Sequence, residues 1–361
     1  MKILAICSTI DFKNFVRRAT LEAIWRTHSD IDFLFFTGLK NSLKGKETIE
    51  GPNFYSYHFW VPERLKNNRS LTRLEYLIRG NRWRAFFDNY DVIFMIDPNQ
   101  YYLLEFVQNQ KVMYLLRDPN ILLGKHNYDK EKKVLESSDL ILTISNELKN
   151  YYLKKYYQID SKVKYWPNCV DLQLWDFETV KHIPKYGDLT VGVSGNLTFK
   201  TDLKLLDKIS TELNDVQFVL IGKNKMSKEK NDFFQKILNK DNVTYKGYLP
   251  QERVPGEVAK WHVGIMIERN DIEFSRYFNA NKIYQYLAMG LPSVKYRYND
   301  ELRNFSDLVK EVETQEDYIN AITWALNKRD DQRFQKECVI LANENSADKR
   351  AEMFLKWVKS L

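Results

Sequence analysis

Two α/β domains, each built on a doubly wound parallel sheet, are predicted by three features of this sequence. They are its length, the alternation of short apolar runs with helix-length segments, and one break in that alternation near the middle. At 361 residues the chain exceeds one core of ordinary size and suits two. Hydrophobic residues make up 44% of it, aromatics 14% and charged residues 29%, so both domains can bury a core and disorder is excluded.

In the first half, continuous apolar runs rich in β-branched and aromatic residues occupy 2–7, 32–36, 91–96, 111–116 and 139–144. Such runs suit strands buried on both faces, with helices covering them. The pattern breaks at Trp166-Pro167-Asn168-Cys169-Val170-Asp171 and stays aperiodic to Gly187 and Asp188. A second series follows at 189–194, 216–221, 242–245, 263–267 and 293–296. The division expected is therefore a Rossmann-like domain over 1–168, a linker over 169–188, and a second such domain over 189–345. A terminal helix over 346–361 carries Phe354, Trp357 and Val358 on one face and should dock back on the fold. No solenoid repeat or low-complexity tract is present.

The net charge of +7 favours anionic partners: nucleotide phosphates, anionic lipid or nucleic acid. Three cysteines, Cys7, Cys169 and Cys338, lie far apart without metal-ligand spacing, which points to a reducing cytosol and neither a disulfide framework nor a zinc site. The apolar run near the N-terminus is too short for a signal core, and no later run reaches spanning length, so a cytoplasmic protein is expected, with attachment to a membrane surface left open.

In open parallel sheets ligands bind beyond the carboxyl ends of strands. There the second series offers Ser194-Gly195-Asn196-Leu197-Thr198, with Lys200 close behind: a glycine lets backbone N–H groups approach a phosphate, though an ordinary strand-to-helix turn has the same composition. The segment Asn281-Lys282-Ile283-Tyr284-Gln285-Tyr286-Leu287-Ala288-Met289-Gly290-Leu291-Pro292 reads as a helix with a glycine stop and a proline beyond it. Lys282 and Gln285 share its first turn, where the helix dipole favours an anion; the same pair would also serve as a solvated outer face.

The order of these pieces resembles the donor-binding domain of B-fold glycosyltransferases along most of the second half. The similarity is carried by 191–198, by Leu220-Ile221-Gly222, by Asn242-Val243-Thr244-Tyr245-Lys246-Gly247-Tyr248-Leu249-Pro250 and by 281–292. The junction Trp166 to Asp171 resembles the family's Pro-Asn-Gly-Val-Asp, with cysteine in the glycine's place, and Leu142-Thr143-Ile144-Ser145 resembles the end of its first domain's last strand. The resemblance implies two Rossmann-like domains facing each other across a cleft, an acceptor-binding first domain, and a donor site formed by Gly195, Asn196, Lys200, Gly222, Tyr248, Arg276, Tyr277, Asn281, Lys282, Tyr284 and Gln285. It further implies a nucleotide-sugar donor, UDP in preference to GDP, a glycan or lipid-linked acceptor, and a role in cell-surface polysaccharide synthesis.

Many retaining members carry two glutamates separated by seven residues. This chain has Tyr277 and Gln285 at those places, which favours an inverting variant. The Lys282–Gln285 pairing followed by Tyr286-Leu287-Ala288 is similar to glucuronosyltransferases of xanthan-type exopolysaccharide assembly. A uronic acid would call for a guanidinium, from Arg269 or Arg276, unless both are plain surface charge.

Inversion needs a base on the acceptor hydroxyl, expected from the first domain. Asp118, directly after a predicted strand, is the first choice and Asp97 the second; either also suits a cap or turn, and His126 ranks behind them. Helix ends with Lys282 and Lys200 would neutralise the leaving diphosphate, so no cofactor or metal is expected. The sequence Asp30-Ile31-Asp32 precedes a strand and reads as an edge cap.

Residues 60–87 interleave Arg64, Lys66, Arg69, Arg73, Arg79, Arg82 and Arg84 with Leu65, Leu71, Leu74, Leu77, Trp83, Phe86 and Phe87. This composition fits an inner-leaflet membrane surface and equally an amphipathic helix packed into the first domain. Nucleic acid is not expected, since no recognised module accompanies the charge. Two other classes stay open: a B-fold nucleotide-sugar 2-epimerase, and a non-catalytic basic protein binding membrane or nucleic acid.

Overall fold

Among the described residues, seven strands form one sheet and six another, and every pairing between these strands is parallel. The computed structural model describes residues 1–7, 17–39, 54–62, 69–123, 125–305 and 307–361. The chain divides into two compact units: Met1–Pro167 with Arg350–Leu361, and Asn168–Lys349.

The first unit runs β1 (Ile3–Ile6), α1 (Arg18–Thr27), β2 (Ile31–Leu39), β3 (Phe54–Pro62), α2 (Arg69–Ile78), α3 (Gly80–Phe87), β4 (Val92–Met95), β5 (Lys111–Leu116), α4 (Lys125–Ser137), β6 (Leu140–Thr143), α5 (Asn146–Leu153) and β7 (Val163–Tyr165). The second runs α6 (Phe177–Val180), β8 (Thr190–Ser194), α7 (Leu203–Glu212), β9 (Gln217–Ile221), α8 (Lys228–Leu238), β10 (Val243–Tyr245), α9 (Val254–Val258), β11 (Val263–Met266), α10 (Asn281–Ala288), β12 (Ser293–Tyr296), β13 (Val309–Val312), α11 (Gln315–Asn327) and α12 (Gln332–Glu344). A last helix, α13 (Ala347–Val358), returns to the first unit.

The sheet orders are β3-β2-β1-β4-β5-β6-β7 and β10-β9-β8-β11-β12-β13. Both are Rossmann-like, and both reverse direction once, between β1 and β4 and between β8 and β11. A crevice opens at such a reversal, beyond the carboxyl ends of the two diverging strands.

All ten expected strands are present, with ends within one residue of those expected except β2, which runs on to Leu39. Three more, β3, β7 and β13, were not expected. β3 reads Phe-Tyr-Ser-Tyr-His-Phe-Trp-Val-Pro and runs to Pro62, so 60–87 is not one amphipathic segment. It comprises the end of β3, then residues 63–68, among them Arg64, Leu65 and Lys66, which lie outside the described residues, and then the two helices α2 and α3. The aperiodic stretch 169–188 packs on the second unit: Trp175 is buried, Val170 bridges to Ser346, and the Tyr186 hydroxyl donates to Glu257 at 2.6 Å. Asp32 is no edge cap; it is buried in β2, accepts from Tyr90 at 2.7 Å and lies 3.4 Å from Lys2 Nζ.

Close packing in the second sheet depends on missing side chains. A β-carbon on Gly192 of β8 would come within 1.9 Å of the Trp261 ring, and one on Gly264 of β11 within 2.4 Å of Tyr286. Each aromatic therefore lies flat on a strand. In the first unit α13 supplies part of the core: Phe354 stacks near Phe94 (5.1 Å) and Trp166 (5.6 Å), and the Trp166 indole donates to the Arg350 carbonyl at 2.9 Å.

Candidate functional site

At the reversal of the second sheet, β8 ends in Ser194 and the chain turns at Gly195, whose φ is +132°. Gly222, at the end of β9, has φ +142°, and a β-carbon there would stand 1.9 Å from the Gly195 carbonyl oxygen. Only glycine holds either conformation without strain, and the two turns pack backbone against backbone. The Gly195 N–H donates to Ile221 and the Gly222 N–H to Gly247, at 2.9 and 2.8 Å.

Helix α10 begins beside this turn. Asp202, Ser227, Thr314 and Asp331 cap α7, α8, α11 and α12 with their side chains, but α10 starts at Ala280 with no side-chain cap and no acidic residue in its first turn. Lys282 is placed in that turn, against the positive end of the helix dipole, which is unfavourable until an anion arrives. Its side chain runs over Gly195, where a β-carbon would meet Lys282 Cε at 3.1 Å, and its ammonium donates to Gln285 Oε1 at 3.4 Å. Burial lowers the Lys282 pKa, and the charge of Glu268 opposes that shift.

Two residues that sequence reasoning missed fix this arrangement. Tyr286 is fully buried; its hydroxyl accepts from the Ser194 N–H (2.9 Å) and donates to the Ile265 carbonyl (3.3 Å), tying α10 to the ends of β8 and β11. Glu268 follows β11 on the other side of the reversal. Its Oε2 is buried without a hydrogen bond, and burial raises its pKa against the opposing charges of Lys200, Lys282 and Lys295. Neither residue has a sequence signal beyond its position near a strand end or in a helix. The junction braces the same region: Asn168 donates through its N–H and side-chain amide to Asn279, at 3.0 and 2.6 Å, just before α10.

The other expected donor residues are not all gathered there. Asn281 opens α10, and Asn196 Oδ1 accepts from the Lys223 N–H at 3.3 Å beside the glycine turns. Tyr248 is exposed, with the Lys223 ammonium 4.4 Å from its ring centroid. The Lys200 ammonium faces aromatic rings, 4.1 Å from Phe278 and 4.4 Å from Phe274, a cation–π seat that competes with the phosphate role expected of it. Tyr277 is buried, and Tyr284 turns into the core with its ring edge against Phe305. Arg276 is exposed. Arg269 is held by Asp271 at 2.5 Å and lines a separate cavity of about 640 Å³ with Asp202, Lys230 and Tyr296, away from Lys282.

In the first unit, Asp118 follows β5 and pairs with Arg117 Nε at 2.6 Å. Asp97 follows β4 at the reversal of that sheet, where it accepts from the Asn99 N–H at 2.8 Å and so caps the short 3-10 turn Pro98–Phe106. His126 lies in α4, and its side chain is outside the described residues. Between these candidates stands a carboxyl that the sequence did not single out. Glu131, fully buried on α4, accepts from Tyr114 and Asn120, both at 2.7 Å, and from Tyr152. Burial pushes its pKa up to about 7 against the pull of those three donors. Because Asn120 also donates to the Asp118 carbonyl (3.3 Å), this network fixes the loop that carries Asp118.

No family model and no curated protein matches the chain. Solved structures do. The structure is similar to a sucrose-phosphate synthase from Thermosynechococcus elongatus, at TM-score 0.72 and 14% identity over 100% of this chain and 98% of that one. It is also similar to HepE from Anabaena, solved with UDP and glucose, at TM-score 0.68 and 13% identity over 100% of both chains. A UDP-N-acetylglucosamine 2-epimerase follows at TM-score 0.57 and 12% identity, over 99% of this chain and 95% of that one. Two parallel sheets flanked by helices, matched along the whole chain, give this protein the B-type glycosyltransferase fold.

Proposed function

We propose that this protein is a glycosyltransferase, moving a sugar from a nucleotide-sugar donor to a glycan or lipid-linked acceptor in cell-surface polysaccharide synthesis. The observation that carries the reading is the start of α10, with no side-chain cap and no acidic residue in its first turn, and Lys282 laid over Gly195. A UDP donor is the preferred reading, since HepE, which shares the fold, was solved with UDP.

The chemistry proposed is a single displacement. The acceptor oxygen bonds to the anomeric carbon as the bond from that carbon to the diphosphate oxygen breaks, and the hydroxyl proton passes to Asp118 or, failing it, Asp97. Lys282 and the α10 amides stabilise the charge that builds on the leaving diphosphate, which makes a metal unnecessary. The donor set proposed is Gly195, Asn196, Gly222, Asn281, Lys282 and Gln285 first, with Lys200, Tyr248, Arg276 and Tyr277 around them. A uronic acid donor remains the narrower form of the proposal, with exposed Arg276 better placed than the paired Arg269. The protein would act in the cytoplasm at the face of a membrane that presents its acceptor.

The fold is shared with a 2-epimerase, so the epimerase is the competing reading. A thermal-shift screen against UDP, GDP and their sugars, with Lys282→Ala alongside, tests the donor site. Release of nucleotide that depends on acceptor supports transfer; epimer formed from nucleotide sugar alone overturns it.

A further inference from the structure

Helix α2 is built inside out. Leu71, Leu74, Leu77 and Ile78 fall within an arc of about 120° on a helical wheel, and all four are exposed, from 37% at Leu71 to 63% at Ile78. The opposite side, which meets the core of the first unit, carries Glu75 and Tyr76, both buried, and half-buried Arg79. The Tyr76 hydroxyl donates to buried Gln100 at 2.6 Å, and its ring packs edge-on to Trp83. Polar groups thus hold the helix down while its apolar stripe faces outward, the reverse of a helix whose only task is to cover a sheet. Among the described residues no helix is long and apolar enough to cross a membrane.

We infer that this face docks on an anionic lipid bilayer. The charge around the stripe decides among possible occupants. Residues 60–87 carry seven basic side chains against Glu63 and buried Glu75, in a chain whose net charge is +7. Of the described ones, Arg73 on α2 and Arg82 and Arg84 on α3 are exposed, Arg73 in an ion pair with Glu105 at 3.3 Å. A second copy of the chain would bring the same arginines against themselves, whereas anionic headgroups neutralise them as the leucines enter the acyl boundary. α2 would lie in the plane of the interface. The inference rests on the transferase reading only for what the membrane presents, a lipid-linked acceptor; the docking stands on the helix alone.

The test is sedimentation of the full chain with vesicles of phosphatidylcholine alone or mixed with phosphatidylglycerol. Leu74→Glu/Ile78→Glu and Arg73→Gln/Arg82→Gln variants are run beside it, with the UDP thermal shift measured on each. These positions are exposed, so the variants should fold, and circular dichroism checks that they do. Expected is partitioning at least about tenfold stronger into anionic than neutral vesicles, lost about tenfold in each double variant, with the UDP shift unchanged. Absence of binding, equal binding to both lipids, or binding that survives Leu74→Glu/Ile78→Glu overturns the inference. So does concentration-dependent dimerisation that the same variant abolishes, because it gives the face to a second copy. A missing UDP shift with intact vesicle binding would instead count against the donor site.

Discussion

Lys282 lies across the α-carbon of Gly195, so close that a β-carbon at Gly195 would stand 3.1 Å from Lys282 Cε. The turn after β8 and the first turn of α10 are thereby one site, although 86 residues of sequence separate them.

Replacing Gly195 with alanine strains a backbone at φ +132° and pushes Lys282 aside. The expected cost is roughly 1–3 kcal/mol of stability, together with loss of nucleotide binding. Lys282→Ala should lose binding alone, with a melting temperature in the absence of ligand close to that of the unmodified chain. Differential scanning fluorimetry with and without UDP separates the two. An alanine at 195 that keeps the UDP shift would show that the turn and the lysine do not share a ligand.

Asp118→Asn is expected to leave nucleotide binding intact and to lower the turnover of transfer by at least about 100-fold, the usual contribution of a general base. Asp97→Ala should instead lower stability by about 1 kcal/mol, because Asp97 caps Pro98–Phe106. Turnover and denaturant midpoints of both variants decide the assignment; the opposite pattern moves the base to Asp97.

Glu131 predicts a pH dependence with a definite sign. Its pKa is about 7 in the folded chain against 4.5 as the ordinary value, so the folded state holds a proton the unfolded chain gives up. The stabilisation is complete below pH 4.5, declines between pH 4.5 and 7, and is gone above 7, a change of about 3 kcal/mol. Glu131→Gln removes this slope. Urea midpoints for both chains from pH 5 to 8 should converge at one end of the range and diverge at the other; parallel curves would refute the assignment.

Lys295 and Glu311 stand opposite each other on β12 and β13, 2.5 Å apart, with side chains 1% and 7% exposed. Burial lowers the lysine pKa and the glutamate opposes it. Glu311→Gln strands a buried ammonium and should cost about 3–5 kcal/mol, whereas replacing both residues with apolar ones should cost much less. Chemical denaturation of the single and double variants measures the difference.

The sheets were legible because strands buried on both faces must be apolar throughout, as at 111–116 and 263–267. β13 escaped notice because Val-Lys-Glu-Val spends its two middle residues on an edge, where Glu311 meets Lys295. β3 escaped because its alternating aromatics ran into the basic stretch that follows. Lys282 could be found from its place in a helix start. Tyr286, Glu268 and Glu131 could not, since what distinguishes them is which strand end or hydroxyl comes to meet them, and that is decided only when Gly264 lets a ring lie on β11. Lys200 shows the converse: its sequence position suits a phosphate, yet Phe274 and Phe278, more than seventy residues on, receive its ammonium.

The return of α13 has a consequence for how the protein is made. Phe354 and the Arg350 carbonyl complete a core whose other walls, Phe94 and Trp166, leave the ribosome long before them. Residues 168–349 are in effect an insertion into the first unit, and translation delivers that insertion whole before the first unit can close. The face of the first sheet that receives Phe354 thus stays uncovered throughout synthesis of the second unit.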